Sequence, residues 1–131
     1  MQYRPEASDL CDAIAEFLLK EVMPAVKEND ELAYKSLVSW NMLGVVSRQF
    51  REEEDLLRSE LGRLHQILDE PGLEDTATLH EIRDRISILN AKLAEKIRKE
   101  KTMDPESQIW AHVKQTLVEN LSVSNPRFQT E

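Results

Sequence analysis

Cysteine, glycine and aromatic residues are all scarce in this 131-residue chain, and each scarcity removes a class of function. Cys11 is the only cysteine, so no intramolecular disulfide can staple the fold, as suits a reducing compartment. Its place beside an apolar helical stripe points to a buried, inert thiol rather than a nucleophile. The three glycines, Gly44, Gly62 and Gly72, stand alone, which excludes a glycine-rich loop cradling phosphate. Aromatics make up 5%, and the apolar residues are mainly Leu, Ile, Val and Ala, a mixture that favours helix over sheet. No apolar run approaches the length of a membrane span.

Positive charge is in deficit too. Seventeen Lys and Arg face 25 Asp and Glu, for a formal net charge of −8. Phosphate backbones and anionic membranes repel such a surface, so neither nucleic acid nor membrane is an expected partner. The basic residues Lys92, Lys96, Arg98, Lys99 and Lys101 gather where a helix should end, and there they complement its dipole. The segment Met1-Gln2-Tyr3-Arg4-Pro5 lacks the apolar centre of a signal peptide, so a cytoplasmic location is expected.

What is present is a globular balance, 40% hydrophobic and 32% charged, in a chain long enough for one sizeable core. We expect a single all-α domain over residues 1–131, a bundle of four to five helices joined by short turns. The first helix should cover residues 6–23, with Leu10, Ile14, Phe17, Leu18 and Val22 facing inward, until Pro24 stops or kinks it. Asn29 or Asp30 can cap the second, and no proline follows before Pro71. Its first half, residues 32–46, is apolar on nearly every face and should be wrapped by the other helices. Gly44 within it should admit a close neighbour. A second stripe, Leu57, Leu61, Leu64 and Leu68, completes this region. Unbroken, it would measure roughly 58 Å at about 1.5 Å per residue. A bend or break near residues 51–55 is therefore expected, or a projecting arm in its absence.

Residues 69–75, with Pro71-Gly72, form the one clear loop. Thr78 and Glu81 have the spacing of a capping box, opening a third helix whose inner stripe is Ile82, Ile86, Leu89, Leu93 and Ile97. Asp104-Pro105 should open a fourth, with Ile109, Val113, Leu117 and Leu121 inward, until Asn125-Pro126 ends it. The core is expected to draw on all four stripes.

Chemistry-bearing motifs are few. Glu-x-x-His is absent, because Gly62, Ala77 and Ile109 stand three residues before His65, His80 and His112. Asp84 stands where a zinc-protease helix would carry its second histidine after His80-Glu81. Glu81 and Asp84 do share a helix face, as in helical Mg²⁺-dependent nucleotide hydrolases. Those enzymes need a second acidic pair, for which Glu28 and Glu31 are the nearest candidates, and in an acidic chain solvated carboxylates account for both pairs. The serines lack nucleophile motifs. No catalytic residue, metal ligand or cofactor site is assigned. A speculative interior polar cluster remains: Asn41, Arg48, Asn90 and Arg98. Buried amides ordinarily bridge helices and arginines ordinarily pair with acids. If the four converged, they would suit a small anionic ligand.

These residues also carry a likeness. Arg4-Pro5, the run from Phe17-Leu18 to Met23-Pro24, Asn41 through Arg48, Leu89-Asn90-Ala91-Lys92-Leu93 with Ile97-Arg98, and Asn125-Pro126-Arg127-Phe128 occur in this order. In that pattern the chain resembles an uncharacterised bacterial family of small all-helical proteins, a domain of unknown function. Gln49 departs from the acid expected after Arg48, and the 69–75 loop is specific to this sequence. The family is commonly encoded beside aminoglycoside-phosphotransferase-like kinases and acyl-CoA dehydrogenases. The resemblance therefore implies a non-catalytic accessory or interaction protein, with such a kinase or dehydrogenase as partner, or a homo-oligomer. The alternatives are an Mg-dependent nucleotide or phosphate-ester hydrolase and a binding module for a small anionic ligand.

Overall fold

The computed structural model describes residues 4–128, and those residues are helical with no strand. Helix α1 is an α-helix over Ala7–Phe17, widens to a π turn over Leu18–Val22, and closes with Met23–Ala25. Pro24 explains the widening. It has no amide to donate and its ring crowds the preceding turn, so the backbone opens just before it. The Met23 amide there reaches back to the Leu18 carbonyl. Helix α2 covers Asp30–Leu68, 39 residues without interruption. Asn29 caps it, its Oδ1 accepting from the Leu32 amide at 3.1 Å.

The break expected near residues 51–55 does not occur. That stretch has neither proline nor glycine, and its acids carry cross-turn partners, as in the Arg58–Glu54 pair at 2.8 Å. Helix α2 ends where Asp69 turns left-handed at φ 52°, with the Glu70 amide donating to the His65 carbonyl at 3.1 Å.

Helix α3 is Leu79–Glu100, opened by the expected capping box: the Glu81 amide donates to Thr78 Oγ1, and Glu81 accepts from the Thr78 amide. Helix α4, Gln108–Ser124, begins one turn later than Asp104-Pro105 suggested. Asp104 anchors a preceding turn, accepting from the Ser107 hydroxyl at 2.7 Å, and Ser107 caps the helix by accepting from the Trp110 amide at 3.2 Å.

The chain divides into two compact units, residues up to Glu53 with Val123–Asn125, and Glu54–Ser122 with residues 126–128. The second unit holds the hydrophobic core. Leu61 and Leu64 of α2 pack with Ile82, Ile86, Leu89 and Leu93 of α3, each worth about 1.5–3 kcal/mol of burial. These are the two stripes expected there.

The first unit departs from expectation. Among its described residues, those buried are Ser8, Ala15 and Ser47. Helices α1 and α2 meet through small side chains, with the Ser47 hydroxyl donating to the Ser8 carbonyl at 3.3 Å. Arg51 donates to Ser47 Oγ at 2.9 Å and to Asp12 at 2.6 Å. Of the expected α1 stripe, Leu10, Ile14 and Phe17 are each about half exposed, while Leu18 and Val22 are partly buried. The first half of α2 is not wrapped either, and Met42 is 61% exposed. Trp40, Leu43 and Val45 within it are partly buried.

Candidate functional site

Three features of the described residues bear on function: a polar cluster inside the second unit, a small apolar cavity in the same unit, and the outward apolar faces. The cluster is built on Arg63. Its guanidinium grips Glu119 with two bonds, Nη1 to Oε1 at 2.9 Å and Nη2 to Oε2 at 2.6 Å. Nη2 also donates to Thr116 Oγ1 at 3.2 Å, Nη1 to Ser59 Oγ at 3.0 Å, and Nε to His112 Nδ1 at 3.3 Å. Side-chain exposure is 23% for Arg63 and 12% for Glu119, so the pair is largely out of water. Nearby, buried Glu60 accepts from Asn90 Nδ2 at 3.1 Å.

Electrostatics fix the protonation states. Burial, then the Arg63 charge, pushes the His112 pKa down, against weaker opposing pulls from Glu60 and Glu119. The imidazole is neutral, and because Nδ1 accepts from Arg63 its proton is assigned to Nε2. Burial alone would raise the Glu119 pKa, but hydrogen bonds from Arg63 and Gln115 outweigh it and hold the carboxyl below its usual range. The lone pair that a general base would use is committed to a guanidinium. The arrangement fastens α2 to α4 and offers no reactive group.

Sequence reasoning missed this cluster. His112, Thr116 and Glu119 recur at helical spacing where Val113 and Leu117 were expected inward. Instead Val113 is exposed and Leu117 is 57% exposed. The polar stripe was visible, but hydrophobicity weighted the other face.

Asn41 and Arg98 are exposed. Arg48 Nε donates to the Val123 carbonyl at 2.7 Å, satisfying an orphan acceptor at the end of α4. Gly44 makes room for that guanidinium, since a Cβ there would lie 3.2 Å from Arg48 Nη1. Asn90 serves Glu60. Asn41 and Arg48 belong to the first unit, Asn90 and Arg98 to the second.

Glu81 and Asp84 are also engaged. Hydrogen bonds from Thr78 hold Glu81 below the ordinary carboxylate range, and Asp84 Oδ2 lies 3.3 Å from His80 Nε2. No group of three or more His, Cys, Asp or Glu able to hold a metal occurs among the described residues. No helix among them is long and apolar enough to cross a membrane.

The cavity, about 180 Å³, opens between the end of α3 and the start of α4. Its wall is almost wholly apolar, formed by Ile97, Ile109, Trp110 and Val113, with Thr102, Asp104 and Ser107 also lining it.

No curated protein and no solved structure matches the chain. One protein family does: residues 24–128 match the domain of unknown function DUF6285, and the chain belongs to that family.

Proposed function

We propose that this is a non-catalytic accessory protein that works by binding another protein. One observation carries the reading. Among the described residues of the first unit no large apolar side chain is fully buried, and Phe17, Tyr34, Met42 and Phe50 are each more than half exposed. Isolated exposed apolar residues are ordinary, but two helices with outward stripes and no large buried side chain between them suit a surface that a partner covers. The Arg63 cluster supports the same reading, because its polar groups satisfy one another.

The partner class follows from the family resemblance: a small-molecule kinase or an acyl-CoA dehydrogenase, met in a bacterial cytoplasm. A homo-oligomer is the second occupant such faces admit. Affinity purification of the tagged chain from its host at mild salt tests the proposal. Recovery of one such enzyme in constant ratio, lost on Phe17→Glu with Met42→Glu, is the expected result. Recovery of the chain alone, as a monomer without effect on either enzyme's activity, would refute it.

A further inference from the structure

We propose that the back of α2 is a homodimer interface, closed by a second copy of this chain about a two-fold axis at Met42. The proposal goes beyond the interaction reading above, which concerns a different protein, and the two fail separately.

Five apolar residues, Tyr34, Val38, Met42, Val46 and Phe50, follow one another at intervals of four along α2, and all five are exposed. Tyr34, Met42 and Phe50 are so by 68, 61 and 64%. Residues four apart form a continuous ridge on a helix. This ridge lies away from the neighbours of α2. Ser47, which meets Ser8 of α1, is about 140° around the helix from Met42, and Arg48, which holds the end of α4, is about 120° the other way.

The order of residues along the ridge names its occupant. Outward from Met42, both directions give a valine, an aromatic ring and an acid: Val38, Tyr34 and Asp30 one way, Val46, Phe50 and Glu54 the other. In an antiparallel two-fold pairing Met42 meets Met42, Val38 meets Val46 and Tyr34 meets Phe50. That symmetry is the self-complementarity an isologous interface needs, and a different protein would have no use for it. Ridges of this spacing interdigitate when two helices cross at about −50°. The five residues leave roughly 600 Å² accessible per copy, so a pair covers up to about 1,200 Å², where specific stable interfaces begin.

Each copy carries a net charge of −8, so like charge has to be kept from the contact. From Tyr34 to Phe50 the ridge holds no charge. It also winds about 40° every four residues, which turns Asp30 and Glu54 about 120° from Met42. The cations of this stretch are engaged within the chain: Lys35 with Glu31, Arg48 with the Val123 carbonyl and Arg51 with Asp12. None is left to recruit an acidic partner instead.

Sedimentation equilibrium of the purified full chain over about 1–200 μM tests this. The expected result is a monomer–dimer equilibrium that tightens several-fold as salt is raised, because screening relieves the repulsion between two acidic copies. Met42→Glu should weaken it at least tenfold, while Phe17→Glu on α1 leaves it unchanged. Both residues are exposed, and melting curves at a dilution that holds the parent monomeric verify that each variant is folded. In a Cys11→Ala background, Val38→Cys and Val46→Cys chains mixed together should be joined by a short thiol cross-linker far more than either alone. A monomer throughout the series would overturn the second copy, as would a dimer lost on Phe17→Glu but kept on Met42→Glu. Cross-linking of Val38→Cys alone as readily as in the mixture would overturn the antiparallel pairing. An enzyme recovered with a monomeric chain would overturn the proposal and leave the interaction reading standing, whereas a dimer that recovers no enzyme would uphold the proposal and count against that reading.

Discussion

Arg63→Ala is the most revealing single change in this molecule. It leaves Glu119, only 12% exposed, charged and without its bidentate partner, and it strips His112 Nδ1 and Thr116 Oγ1 of a donor. Breaking a largely buried ion pair by removing one member costs about 3–5 kcal/mol, and the residual exposure places this case at about 3 kcal/mol. That is a large share of the roughly 5–15 kcal/mol by which domains are stable. Arg63→Lys keeps the charge but not the fork, and should cost about 1–2 kcal/mol. Arg63→Met combined with Glu119→Leu should recover most of the loss, because no lone charge then stays buried. Urea titration followed by circular dichroism measures all three against the parent. An Arg63→Ala midpoint within about 0.5 kcal/mol of the parent, the range of ordinary surface substitutions, would refute the fastening role. A double variant no better than the single would refute the charge argument.

Other outcomes follow from the same structure. Leu64→Ala removes a fully buried core side chain and should cost about 2–5 kcal/mol, whereas Met42→Ala in the isolated chain should stay within about 0.5 kcal/mol, both read by thermal melting. Thr78→Ala should cost about 1 kcal/mol by deleting the α3 cap, with Thr78→Ser restoring it in denaturant titration. The depressed His112 pKa means the unfolded chain takes up a proton more readily than the folded one. Its contribution is present above the unfolded value of about 6.5 and is lost as pH falls through the folded value. Melting temperature should therefore drop from pH 7 to pH 5, and His112→Gln should flatten that slope.

Periodicity was a sound guide for the second half of α2 and for α3. Leu61, Leu64, Ile82, Ile86, Leu89 and Leu93 each occupy one face of a helix with charges opposite, and such a face has one place to go. Caps were legible for a similar reason: Asn29, Thr78 and Glu81 act within a turn of themselves. The first half of α2 was not legible, because a segment apolar all round does not say which face is covered. Small residues decided that choice. Ser8, Ala15 and Ser47 permit close approach of two helices, and no hydrophobicity pattern ranks them above Leu10 or Phe17.

The same division separates fold from site. The sequence by itself determined that the chain is helical, where most helices start and stop, and that it belongs to its family, since these depend on neighbours within a few residues or on residue order. Tertiary structure alone decided that α4 turns His112, Thr116 and Glu119 inward. Their burial is tolerable only because Arg63, roughly fifty residues away in the chain, supplies the hydrogen bonds and charge that water would otherwise provide.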